Sequence, residues 1–263
     1  MINFKEKELI VIKIGSNILT TKDKKPDLNN LRDLVNQISY IKKCNKNIVV
    51  VSSGAIAYGT EGLGVVPKSI SEKQAAAAIG QVILMENYQN LFAREGLKIA
   101  QVLLTKDALL DATRAEYAKN TFNTLLDRGI IPIVNENDTV AVEEIKFSDN
   151  DNLSSMVSVL LQADLQIFLS DIDGLYDLDP RVHKDAQLIR KLTQVSDEMI
   201  EKISESVSAV SRGGMKSKVQ SAKYLLENHI DVIIASGRQS NVLIDLYNGV
   251  ECGTRFMGES CNV

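Results

Sequence analysis

The sequence predicts an α/β protein: a three-layer α/β/α sandwich with a mainly parallel central sheet. Three observations lead there. Short β-branched runs, among them "LIVIKI" at 9–14 and "IDVIIAS" at 230–236, are apolar at nearly every position, as strands covered on both faces are. Between such runs lie longer stretches whose apolar residues recur at helical spacing. The two kinds alternate along the chain, an order that pairs strands in parallel and lays helices on both faces of the sheet.

The elements follow in order. After the strand at 9–14, "DLNNLRDLVNQISYIKKCN" (27–45) reads as a helix with Leu31, Leu34, Val35, Ile38 and Ile41 on one face, and "NIVVVSS" (47–53) as a strand. The stretch 69–96 holds a long helix. Ser71 with Gln74 fits a capping box at its start, and Gly96 fits its end. "KIAQVLLT" (98–105) is a strand, "RAEYAKNTFNTLLDRG" (114–129) a helix and "IIPIVN" (130–135) a strand. "TVAVEEIKF" (139–147) alternates like part of a hairpin. "NLSSMVSVLLQA" (152–163) is helical and "LQIFLSD" (165–171) a strand. "GGMKSKVQSAKYLLENH" (213–229) opens a helix after a glycine pair and leads into the strand at 230–236. The loosest place for a division is near Asp164, but no boundary is set there. Residues 1–258 are expected to form a single domain and 259–263 a short tail.

Composition narrows the function. The chain has 263 residues, 44% hydrophobic, enough for a buried core. The net charge is −4 and no Lys/Arg-rich run stands out, so nothing points to nucleic acid. The apolar runs are strand-sized, well short of the ~20 residues of a membrane span, and no signal peptide is readable. Cys44, Cys252 and Cys261 form no C-x-x-C, which suggests a reduced, cytoplasmic protein without structural zinc. His183 and His229 are too few for a His-based metal site.

In a sheet of this kind ligands bind beyond the carboxyl ends of the strands. The sequence places there "KIGS" with Lys13, "SSGAIAYG" with Ser53 and Gly54, "NEND" (135–138), "SDNDN" (148–152), "SDIDGLYDLDPR" and, near the last helix, "SRGGMKSK". Each is small, polar or glycine-rich, and several stand before helices, where free backbone N–H groups and the helix dipole receive anions. Taken singly they are ordinary: Lys13 reads equally well as a snorkelling edge lysine, "SSGA" as a plain helix cap and "GGMKSK" as solvent lysines on a helix. No G-x-x-x-x-G-K-[ST] loop is present, and "DIDGLYD" lacks the spacing of a calcium loop. Six of them converging on one sheet edge is what favours a site.

The ordered set "VIKIGSNILT", "VVSSGAIAYG", "AAIGQ", "QVLLT", "IPIVNENDTVA", "EEIKFSDNDNLSS", "LSDIDGLYDLDPR", "GGMKSK" and "GTRF" resembles the amino acid kinase family over about residues 9–256. "NEND" followed by "DNDNLS" is closest to the members that phosphorylate the side-chain carboxylate of free glutamate, the first step of proline synthesis, rather than acetylglutamate, aspartate, carbamate or UMP. The resemblance implies ATP as co-substrate and Mg²⁺, held mainly by the ATP phosphates with Asp151 able to help. It implies that Lys13 and Lys218 contact the phosphates and the phosphoryl group in flight, with Asp151 holding the two ammonium groups. Ser170, Asp171 and the segment Arg212, Gly213, Gly214, Met215, Lys216, Ser217 and Lys218 would form the nucleotide side. The acceptor would meet Ser53, Gly54 and Ala55 at a helix start, Asp138 through its ammonium, and Asn135 and Asn150 as donors to its carboxylates, with Asp149 supporting the pocket edge. Carboxylate attack needs no general base, in keeping with the scarcity of histidine.

This chain departs from the family in one loop: Ser211-Arg212 stand where Gly-Thr usually precedes the glycine pair. Many members also continue into a C-terminal domain like an RNA-modification (PUA-like) module, which is not expected here. The resemblance further implies a homo-oligomer, dimer or tetramer, and feedback inhibition by proline. Two alternatives remain: an acetylglutamate kinase-like enzyme, for which Asp138 would be superfluous, and a non-catalytic amino-acid or nucleotide sensor, which could dispense with Lys13, Asp151 and Lys218.

Overall fold

The computed structural model describes residues 2–141, 150–180, 182–206 and 209–258, with backbone alone for 202–206 and 209–213. The hairpin expected at 139–147 and Asp149 fall mostly or wholly outside these residues.

The chain runs β1 (Leu9–Ile14), α1 (Ser16–Leu19), α2 (Leu28–Lys43), β2 (Asn47–Val51), α3 (Ala55–Leu63), α4 (Ile70–Arg94), β3 (Ile99–Leu104), α5 (Lys106–Leu110), α6 (Ala112–Asp127), β4 (Ile131–Glu136), α7 (Asn150–Leu161), β5 (Leu165–Ser170), β6 (Lys191–Leu192), α8 (Asp197–Ser206), α9 (Ala209–Glu227), β7 (Asp231–Ser236), α10 (Val242–Tyr247) and β8 (Thr254–Phe256). The strands form one sheet in the order β3-β4-β2-β1-β5-β7-β8-β6, parallel except where β8 runs against β7. The α/β/α reading therefore holds. From β1 the chain turns toward β2, and from β5 toward β7. Strands β1 and β5 lie side by side, so their loops diverge and leave a crevice at their carboxyl ends.

Apolar cores lie on both faces of this sheet. Ile10, Ile12, Ile48, Val50, Ile167 and Ile233 turn toward α2, α4 and α10, whereas Val11, Val49, Val51 and Val134 pack with Phe122, Leu153 and Val157. A third cluster joins Phe168, Val232 and Phe256 to Met215, Val219 and Ala222 of α9. The strand runs are apolar at both parities because both faces are covered. The Asp164 carboxylate accepts the N–H groups of Glu8 at 2.9 Å and Leu9 at 2.8 Å.

Two local expectations are corrected. The capping box of α4 is formed by Ser69 and Glu72, not Ser71 and Gln74. Ser69 Oγ accepts the Glu72 N–H, and the Glu72 carboxylate accepts the N–H groups of Ser69 and Lys68. Both pairs have the right spacing, but Ser69 is the residue with extended backbone, so the helix starts two residues earlier. Likewise, Gly213 and Gly214 do not open α9. The helix begins at Ala209 and carries the pair in its second turn.

Candidate active site

Lys13 reaches the crevice because it stands in β1, between β2 and β5, one residue before the strand ends. Asp151 stands in the first turn of α7, and Lys218 in the middle of α9. The three meet. Lys13 Nζ lies 2.5 Å from Asp151 Oδ1, and Lys218 Nζ lies 3.0 Å from Asp151 Oδ2. Lys218 also donates to the carbonyl of Gly214, one turn back, at 3.3 Å. All three side chains are buried. Burial by itself would push the Asp151 carboxyl up, but the ammonium groups of Lys13 and Lys218 outweigh it and hold the pKa down at about 2. Two cations on one carboxylate leave the cluster net positive, beside the positive end of a helix: a setting built for an anion.

Asp151 is tied at both oxygens, which makes any part of it in holding a metal secondary. Among the described residues no group of three or more His, Cys, Asp and Glu could hold a metal ion. These residues fit a cation that arrives bound to phosphates and do not fit a protein cage.

One residue before Asp151, Asn150 opens a second region. Here lies a cavity of about 820 Å³, lined among others by Gly54, Ala55, Asn135, Asp138, Asn150 and Asn17. Ala55 begins α3, and Gly54 before it has φ +95°, a left-handed conformation that glycine adopts without strain. The N-terminus of α3 thus opens on the cavity. The close packing of α3 on α4 fixes it: a Cβ on Gly59 would fall 1.8 Å from the Ala76 carbonyl oxygen, and one on Gly80 1.8 Å from that of Ala55. On the opposite side the wall is the segment after α1, held by Arg238, which donates to Asp27 Oδ2 and to the Asn17 and Thr20 carbonyls.

The polar groups here differ from expectation in one respect. Asn150 was expected to donate to a substrate carboxylate. Instead its Nδ2 is engaged by the Ser52 carbonyl at 2.7 Å, Asn135 Oδ1 at 2.9 Å and Ser53 Oγ at 3.1 Å. The two amide hydrogens are fully used, and the atom left without a hydrogen-bond partner among the described residues is the acceptor Oδ1. Asn135 Nδ2 donates to Gln81. Burial raises the carboxyl of Asp138 to about 6.

The structure thus brings together Lys13, Asp151 and Lys218, and separately Gly54, Ala55, Asn135, Asp138 and Asn150, with Ser53 bonded to Asn150. Ser170 closes β5, and its Oγ lies 3.4 Å from Asp171 Oδ1; Asn17 bonds the other Asp171 oxygen. Met215 is buried against a small apolar pocket with Ile172, Leu175, Tyr176, Leu178 and Pro180, one helical turn from Lys218. Lys216 and Ser217 follow on α9, half-buried. The side chain of Arg212 and the surroundings of Gly213 lie outside the described residues, as does Asp149. Sequence reading assigned no role to Gln81, Asn17 or Arg238. Gln81 stands in the quoted "AAIGQ", which was the only signal available.

The model of the Amino acid kinase family matches residues 8–236. A glutamate 5-kinase of Clostridium tetani is 44% identical over 254 residues, covering 96% of this chain and 95% of its own length. One of Clostridium perfringens is 42% identical over 261 residues, covering 97% of each. Among solved structures, the carbamate kinase of Giardia lamblia bound to AMP-PNP superposes with a TM-score of 0.68 over 97% of this chain and all of its own, at 19% identity, a likeness of fold alone. The chain belongs to the amino acid kinase family, with glutamate 5-kinases as full-length relatives.

Proposed function

We propose that this chain transfers the γ-phosphoryl group of ATP to the side-chain carboxylate of L-glutamate, giving L-glutamyl 5-phosphate and ADP, the first step of proline synthesis. The observation that carries the reading is the buried Lys13–Asp151–Lys218 cluster one residue away from a cavity with an ammonium acceptor at Asp138. Glutamate's ammonium would pair with Asp138 and reach Asn150 Oδ1. Its α-carboxylate would take the N-terminus of α3 at Gly54 and Ala55. A side-chain carboxylate oxygen then attacks the γ-phosphorus, and the bond to the β–γ bridging oxygen breaks. No proton moves, so no base is required.

Lys13 and Lys218 serve this step by offsetting the repulsion between two anions and the charge on the equatorial oxygens. Asp151 keeps the two ammonium groups in place. Mg²⁺ bound to the ATP phosphates would add positive charge there. The nucleotide would lie on the β5–α9 side, with Ser170 and Asp171 toward the ribose. Membership of the family supports this reading, as do the names of the relatives at over 40% identity.

A hydroxylamine trap for the acyl phosphate tests it, run with ATP and glutamate, N-acetylglutamate or aspartate. Hydroxamate from glutamate alone is expected. Hydroxamate from N-acetylglutamate in preference would assign the acetylglutamate activity, and none from any acceptor would assign a sensor. Proline shares the α-carboxylate and a charged nitrogen with glutamate but has nothing to phosphorylate. We expect it to inhibit, with glutamate relieving the inhibition. Titrating proline at several glutamate concentrations checks this; inhibition undiminished at saturating glutamate contradicts a shared site.

A further inference from the structure

We infer that Gln81 is a positioning residue for the acceptor amino acid, although it lies on α4 outside the cavity lining. The inference rests on the reading of that cavity as the glutamate site.

Three side-chain amides run in a relay whose direction two backbone groups fix. The Ser52 carbonyl can only accept, so Asn150 must present Nδ2 to it, at 2.7 Å. The same Nδ2 donates to Asn135 Oδ1 at 2.9 Å. The Glu136 N–H can only donate, and it too bonds Asn135 Oδ1, at 2.9 Å. Asn135 is therefore fixed as well, with its Nδ2 turned toward α4. There it donates to Gln81 Oε1 at 2.8 Å. Gln81 ends the relay as its acceptor.

Without that acceptor, Asn135 is anchored through Oδ1 alone and its buried Nδ2 loses its partner, a cost that a change of rotamer would relieve. Turning over would set its N–H₂ against both the Glu136 N–H and the Asn150 N–H₂, donor against donor. Asn150 would then be released, and with it the placement of Oδ1, the polar atom it has left for a substrate ammonium. The relay is short of slack because the backbone contact between Gly80 and Ala55 seats α4 next to the residue in question. Gln81 keeps its own Nε2 buried without a hydrogen-bond partner among the described residues, at a cost in desolvation. Its oxygen is what the site uses.

Steady-state kinetics of Gln81→Met and Gln81→Glu test this. Gln81→Met keeps the length and removes the acceptor. It should raise the glutamate KM about 10-fold or more, with kcat within ~3-fold and the ATP KM unchanged, the pattern of lost substrate binding rather than lost transition-state contact. Gln81→Glu keeps an acceptor oxygen and should bring the glutamate KM back to within ~3-fold of the parent. In an Asn135→Ala background Gln81→Met should add nothing further, since the two residues act in series. The inference is overturned by an unchanged glutamate KM in Gln81→Met, by additive effects in the double variant, or by both KM values rising together with a lower Tm. A parent protein that turns over ATP but forms no hydroxamate with glutamate overturns the functional reading itself, and the relay's role with it.

Discussion

Two aspartates with opposite electrostatics divide the work of the site. Asp151 is held ionised by its two lysines, and its value lies in keeping them fixed. Lys218→Ala should lower kcat by about 10²-fold or more, the scale expected when a preorganised charge aimed at the transition state is removed, while leaving a folded protein in which Lys13 still neutralises Asp151. Turnover near the parent value in a folded Lys218→Ala protein would remove that role. Asp138 is the reverse case: burial lifts its pKa from 3.8 to about 6. Its ionised form is what an ammonium needs, so the glutamate KM should rise as the pH falls through about 6, at saturating ATP. Asp138→Asn should abolish that step along with most of the glutamate affinity. Linkage sets the sign for stability. The folded state holds this proton more tightly than the unfolded chain, so the benefit is lost as pH rises through the folded pKa. Asp138→Asn should therefore raise Tm above pH 6, with the gain shrinking as the pH falls toward 4. A pH-independent glutamate KM, or a lower Tm for Asp138→Asn at pH 7.5, would contradict this account.

At the level of elements, how well the sequence could be read followed from how local each signal was. The strands β1, β2, β4, β5 and β7 announce themselves by apolar runs, and α2 by its stripe, because burial of those residues is what makes the elements form. Helix α3 was read only as a helix start at Ser53, Gly54 and Ala55, with no account of its glycines. Its glycines are there for a contact that the sequence does not reveal: the carbonyl oxygens of α4 and α3 occupy the places where side chains at Gly59 and Gly80 would begin. Strands β6 and β8, at two and three residues, are too short for periodicity to show. In the site, residue identities were legible but polarity was not. Which atom of Asn150 remains for a ligand depends on Ser52 and Asn135, which are far from it in sequence. The α3–α4 contact makes a sharp prediction. Gly80→Ala puts a methyl against the Ala55 backbone, which cannot yield without moving the start of α3. It should cost at least the ~1–3 kcal/mol of an overpacked site and raise the glutamate KM. Gly62→Ala meets only the Cγ2 methyl of the exposed Ile79 side chain, at 2.8 Å, and should cost less, since a small side-chain shift can relieve a contact that fixed backbone cannot. Equal Tm values for the two variants would show that this packing does not set the site.

At the scale of the molecule, the cavity and the lysine cluster belong to different stretches of chain, and something must hold them in register. The sheet does most of this, since β1 pairs with both β2 and β5. The cavity wall after α1 is not in the sheet, however. Its fixed point is Arg238, just past β7, across β5 from β1. The Arg238 guanidinium donates to Asp27 Oδ2 at 2.6 Å, to the Asn17 carbonyl at 2.6 Å and to the Thr20 carbonyl at 2.5 Å. Asn30 adds a second tie from α2, donating to the carbonyls of Ile18 and Gly237. Asp27 also accepts the Asn30 N–H as the cap of α2, so one residue joins the helix start to the strap. The pair is partly exposed, so its ionic part is screened, and the geometry matters more than the charge. Arg238→Ala should then lower Tm by a few degrees, in line with about 1–2 kcal/mol for hydrogen bonds at a half-exposed charge, and raise the glutamate KM, because Asn17 and Thr20 line the cavity. Arg238→Lys should recover only part of this. A single ammonium cannot span a carboxylate and two carbonyls that a planar fork reaches together. The measurement is a thermal melt and a glutamate titration on both variants. Full recovery by lysine would mean that charge alone holds the wall, and an unchanged KM in Arg238→Ala would mean that the wall keeps its place without the strap.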